Sequence, residues 1–114
     1  MDLAAQQRDG VAIASLPRIP LDTAFVQEFA TELGALIATC PRLVLDLRRL
    51  LFIDSSGVGA LVSALTTARK AGGDIKLANV PQQVQSVLEV ARLDKLFATF
   101  PTVDDAVAAY SARK

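Results

Sequence analysis

The hydrophobic pattern alternates between short, nearly continuous apolar runs and longer stretches in which apolar residues recur every three to four positions. Short runs bounded by Gly, Pro, Asn or Asp predict buried strands, and the periodic stretches predict amphipathic helices. Leu3 to Gln7 and Val11 to Leu16 flank Asp9-Gly10, a dipeptide that supplies the positive φ angles of a tight turn. The chain is expected to open with a β-hairpin. Pro17 and Pro20 close the second strand, since neither can donate to a ladder. From Asp22 or Thr23, each a good N-cap, Phe25, Phe29, Leu33, Leu36 and Ile37 recur at spacings of four, four, three and one. That is one helical stripe, ending before Pro41.

Leu43 to Leu47 reads as a buried strand that Arg48-Arg49 interrupts, and its apolar continuation, Leu50 to Ile53, leads onward into Asp54-Ser55-Ser56-Gly57. Val58, Leu61, Val62, Leu65 and Ala68 then keep a helical period until Ala71-Gly72-Gly73 stops it. Asp74 to Asn79 is a further strand. Pro81 suits a first helical turn, with Val84, Val87, Leu88 and Ala91 as the buried face behind it. Phe97 to Phe100 is a last short strand, and Thr102 with Asp105 imitates a capping box ahead of a helix carrying Val103, Val107 and Tyr110. The order β-β-α-β-α-β-α-β-α predicts an α/β fold with a mostly parallel sheet, an amino-terminal hairpin at its edge, and helices packed mainly on one face.

Composition narrows the chemistry. A chain of 114 residues fits one domain spanning 1–114. Twelve basic residues balance twelve acidic ones, so no basic excess points to nucleic acid. Histidine is absent, which removes Ser-His and Cys-His nucleophile pairs and His-based metal sites. Lys70, Lys76, Lys95 and Lys114 are the remaining nitrogen bases, none at a recognisable spacing from a serine. Cys40 stands alone and reads as an apolar filler in a reducing compartment. No basic leader and no run of 18 uncharged apolar residues occurs. A soluble, cytoplasmic protein without membrane insertion, metal or cofactor is expected.

One junction concentrates the remaining polar chemistry: Asp54-Ser55-Ser56-Gly57-Val58-Gly59, where a helix begins. One reading makes Asp54 or a serine the helix cap, with the glycines permitting a sharp turn and close packing. In the other, an exposed serine hydroxyl sits where free backbone N–H groups and the helix dipole welcome a phosphate.

Phe52-Ile53-Asp54-Ser55-Ser56-Gly57-Val58-Gly59, preceded by Val44-Leu45-Asp46-Leu47 and followed by a helix, a Gly-Gly stop and Ile75 to Val80, resembles the STAS domain, with a motif core over 43–100. The name joins sulphate transporter and anti-sigma factor antagonist. The resemblance implies partner switching: the unphosphorylated domain binds an anti-sigma factor that is also a serine kinase, and so frees a sigma factor. Phosphorylation ends that binding and a PP2C-type phosphatase restores it. Carried onto this chain, Ser55 is the phosphoacceptor and a substrate rather than a catalyst, and Asp54, Ser56, Gly57 and Gly59 form the motif and turn. Asp22, Thr23, Asp54, Ser55, Ser56 and Val58 are the implied partner surface, on a monomer or weak dimer. In the family a Gly-x-Leu-Asp segment precedes the first long helix; here Ile19-Pro20-Leu21-Asp22 keeps Leu and Asp but not Gly. Arg48-Arg49 reads as a solvated turn. A second implied class is a scaffold or an accessory subunit of a lipid or anion transporter, which the chain's stand-alone length makes the less favoured.

Overall fold

The computed structural model describes residues 3–111; Met1, Asp2 and the terminal residues, Lys114 among them, lie outside it. Five strands and four helices follow the expected order: β1 (Ala4–Arg8), β2 (Val11–Ser15), α1 (Val26–Thr39), β3 (Arg42–Asp46), α2 (Ser55–Lys70), β4 (Asp74–Ala78), α3 (Gln82–Val90), β5 (Thr99–Phe100) and α4 (Val103–Ser111). The opening turn forms as its residues demand, with φ of 57° at Asp9 and 78° at Gly10. It pairs β1 antiparallel to β2 from Arg8 opposite Val11 to Ala4 opposite Ser15.

The remaining pairs, β2 to β3, β3 to β4 and β4 to β5, are parallel, and the sheet order is β1-β2-β3-β4-β5. Because each successive strand is added on the same side, right-handed crossovers carry α1, α2 and α3 to one face. On that face Phe29, Leu33, Leu61, Leu65, Val84 and Leu88 pack on Ala12, Ala14, Leu43, Leu45, Ile75 and Leu77. Each fully buried large side chain here contributes roughly 1.5–3 kcal/mol. No crossover follows β5, and α4 folds onto the opposite face, where Ala106, Val107 and Tyr110 cover Val11, Ile13, Val44 and Ala78. The central strands are thus apolar on both sides, which is why they read as continuous runs rather than alternating ones.

Local structure departs from the sequence reading in four places. The first helix begins at Val26, not at Asp22 or Thr23, because the Asp22 carboxylate is used one turn earlier, accepting from Ala24 N–H at 3.0 Å. Leu50 to Ile53 is not a sheet strand. A turn at Arg48-Arg49, closed by Leu50 N–H to the Leu47 carbonyl at 3.0 Å, lifts the chain off β3, and only the Leu21–Ile53 bridge remains. The last strand shrinks to Thr99–Phe100, leaving Phe97 buried in the helical layer. Ala91 is exposed rather than part of the buried face of α3, since that helix ends at Val90.

At the amino ends of β3 and β4, Tyr110 anchors α4. Its hydroxyl accepts from Leu43 N–H at 3.1 Å and faces the Leu43 and Asp74 carbonyls at 2.7 and 2.8 Å. Lys76 Nζ lies 4.5 Å from the ring centroid and 3.2 Å from Asp74 Oδ2. Burial, and then the Asp74 charge, push the Tyr110 phenol well above its ordinary pKa.

Candidate functional site

The junction lies beyond the carboxyl end of β3, the edge of a parallel sheet where ligands and partners commonly bind. The loop that delivers it is held from three directions. Asp46, the buried polar residue of the described core, accepts from Arg48 N–H at 3.1 Å, from the Arg48 guanidinium at 3.2 Å and from the Asn79 amide at 3.1 Å. Leu51 N–H donates to the Ile19 carbonyl and Leu21 N–H to the Phe52 carbonyl, both at 2.9 Å. From α3, the Gln83 side chain donates to the Leu51 carbonyl at 2.8 Å. Asp22 follows Leu21 as Asp54 follows Ile53, so the bridge brings the two acidic positions alongside each other.

Asp54 is the N-cap of α2. Its Oδ1 accepts from Ser56 N–H and Gly57 N–H, each at 3.0 Å, and from the Ser56 hydroxyl at 2.6 Å. Those bonds, the hydroxyl first and Gly57 N–H next, hold its carboxyl below the usual aspartate pKa. The two adjacent serines are therefore not equivalent. Ser56 is committed to Asp54, whereas Ser55 is exposed and its hydroxyl makes no hydrogen bond among the described residues.

The same geometry corrects the expectation of free N–H groups awaiting a phosphate. Asp54 has already taken two donors of the first turn. A phosphate on Ser55 would meet a carboxylate rather than an open cradle.

Gly57 is required by packing. A Cβ there would lie 2.2 Å from the Leu21 carbonyl oxygen and 2.7 Å from Ile53 Cγ1, so this glycine lets α2 seat against the bridge that carries the site. Gly59, read from sequence as part of the same turn, lies exposed inside the helix, and a Cβ added there would meet nothing within 4 Å. The turn does not need it. Val58 is half-buried at the edge of the site and Thr23 is exposed.

Beside Ser55 opens an apolar groove of about 500 Å³ between the first turn of α2 and α3. Ile53, Val58, Val87, Val90 and Ala91 form its walls, and Asp54, Ser55 and Ser86 supply its polar atoms. The groove was not anticipated from sequence. The available signal was Val90, an apolar residue standing off the Val84–Leu88 buried face of α3. Arg48 and Arg49 line a separate cavity of about 240 Å³ with Ser15, Leu16 and Asp46, so they do not border the groove. Among the described residues no group of His, Cys, Asp and Glu has metal-binding spacing, and no helix is long and apolar enough to cross a membrane.

Residues 2–106 match the STAS domain family. The chain belongs to that family. Among similar proteins is BtrV of Bordetella bronchiseptica, named for anti-sigma factor antagonism, 28% identical over 111 residues that cover 96% of this chain and 95% of that one. An anti-sigma factor antagonist from Mycobacterium paratuberculosis superposes with a TM-score of 0.84 at 27% identity, covering 95% of this STAS chain and 92% of that one. The phosphorylated form of the Bacillus cell fate determinant SpoIIAA shares the fold, with a TM-score of 0.72 at 19% identity and coverage of 96% and 99%.

Proposed function

We propose that this STAS domain is an anti-sigma factor antagonist that works by partner switching, with Ser55 as the phosphorylated residue. Unphosphorylated, it binds an anti-sigma factor that is also a serine kinase and so frees a sigma factor; a PP2C-type phosphatase reverses the modification. The names of its similar proteins support the antagonist class. The observation that carries the site is the division of labour between the two serines: Ser56 closes the cap on Asp54, while Ser55 presents an exposed hydroxyl at the mouth of an apolar groove. The domain's role is binding, and Ser55 is a substrate.

Magnitudes decide where the switch acts. A helix N-terminus stabilises a nearby anion by about 0.3–2 kcal/mol, whereas reversing a 99:1 equilibrium takes roughly 5.5 kcal/mol of differential affinity. Here even the smaller contribution is reduced, because Asp54 occupies the Ser56 and Gly57 N–H donors and is itself negative. The effect must therefore arise at the partner surface, where a group carrying about −1.5 to −2 charge replaces a neutral hydroxyl and has to be desolvated.

The test is a pull-down from the source cell with wild type, Ser55→Ala and Ser55→Glu, read by mass spectrometry. Wild type and Ser55→Ala are expected to retain an anti-sigma kinase that Ser55→Glu does not. Equal retention by all three proteins, or recovery of transporter subunits in place of a kinase, would contradict the proposal.

A further inference from the structure

The apolar surface of this domain is unevenly distributed. Among the described residues the exposed large hydrophobic side chains are Leu51, Phe52 and Val90, at 36%, 46% and 86% exposure. Val90, the most exposed of the three, lines the groove beside Ser55, while Leu51 and Phe52 lie on the loop that leads to its wall residue Ile53. Scattered single apolar residues are ordinary on a protein surface, whereas Val90 stands on the wall of a concavity that Ile53, Val58 and Val87 also line, and an apolar concavity of this kind marks a place where something docks.

The charge pattern selects the occupant. The formal charge in the groove is the Asp54 carboxylate, and its internal hydrogen bonds all end on Oδ1, leaving Oδ2 without one among the described residues. An acidic segment would be repelled there, and a cationic one would be held more tightly after phosphorylation, the reverse of a release. An uncharged apolar segment fits both the walls and the switch, with a backbone N–H able to donate to Oδ2.

We propose that the groove between α2 and α3 receives an uncharged apolar segment of the anti-sigma partner, with Val90 and Val87 as its affinity-setting walls, and that phosphate on Ser55 acts by denying that segment entry. A strongly hydrated dianion at the mouth cannot be stripped of water by an apolar side chain passing it. This inference rests on the partner-switching proposal and places the recognition energy on α3, outside the Asp54–Gly59 motif.

The experiment uses the kinase recovered with Ser55→Ala, purified, and titrated calorimetrically against wild type, Val90→Asp, Val90→Leu and Ser55→Glu. Val90 is so exposed that neither substitution should shift the melting temperature, which is checked in parallel. Val90→Asp is expected to weaken binding at least tenfold and Val90→Leu to remain within threefold of wild type. If Val90→Asp binds within threefold of wild type while Ser55→Glu loses binding, the groove proposal fails and partner switching stands. If Ser55→Glu binds as wild type does, partner switching itself fails.

Discussion

The two ends of the parallel strands are finished differently. At the amino ends of β3 and β4, the Tyr110 hydroxyl meets three backbone groups, and Lys76, 12% exposed in its side chain, sits between the Asp74 carboxylate and the Tyr110 ring. Polar and apolar groups there find their partners inside the chain. At the carboxyl end Asp54 spends one carboxylate oxygen on its own helix, Ser55 spends nothing, and Phe52 and Val90 stay in water. What separates the structural lock from the proposed docking end of this fold is therefore not residue type. It is whether each group already has an internal partner.

That contrast can be broken by substitution, most forcefully at Gly57. Gly57→Ala drives a methyl group into the Leu21 carbonyl and Ile53, and overpacking of this kind costs about 3 kcal/mol. Both stability in a urea titration and partner binding should fall, since the residues displaced are the ones that seat Asp54 and Ser55. A loss of stability with binding untouched would show that the two are not coupled.

Tyr110→Phe should cost about 2 kcal/mol, because it leaves a buried Leu43 N–H without its acceptor. Partner binding by the folded fraction is expected to match wild type; a change would mean the lock end communicates with the docking end. Its pH signature is also specific. The phenol's pKa is raised in the folded state, so its contribution is complete below about pH 10, the unfolded value, and is lost as pH climbs above that. Melting curves from pH 8 to 11 should lose their alkaline decline in part with Tyr110→Phe.

The smallest effect has the opposite sign. Gly59 is exposed within α2 and a side chain there meets nothing, so Gly59→Ala should raise stability by about 1 kcal/mol through helix propensity alone. Partner binding should be retained. A destabilised Gly59→Ala protein would show that this glycine has a packing role the fold does not reveal.

The order of elements was legible because it rests on periodicity, and periodicity follows from burial: Leu43 to Asp46 sits between two covered faces and reads as a continuous run. The cap was legible in part: the sequence placed it at Asp54 or a following serine, and the hydrogen bonds from Ser56 and Gly57 assign it to Asp54. Boundaries were less so. Asp22 is a good cap in isolation, but its carboxylate serves the turn before α1, and residue type alone does not tell those positions apart. The Leu50–Ile53 segment has strand composition, yet Arg48-Arg49 turns it away from the sheet. The groove was invisible for a more general reason. It is made where α3 approaches the first turn of α2, and the spacing of Val87 and Val90 within one helix carries no information about that crossing.

The central claim is that a phosphoryl group on Ser55 acts outward, on the partner, rather than by reshaping the domain. The most direct measurement compares the dissociation constants of the purified anti-sigma kinase for the Ser55-phosphorylated and unphosphorylated proteins, with amide chemical shifts of both forms recorded alongside. The account predicts a loss of more than about 100-fold, or ~2.7 kcal/mol, with shift changes confined to the start of α2 and the facing residues of α3. Affinities within threefold of each other, or shift changes spread through the sheet to Tyr110, would contradict it.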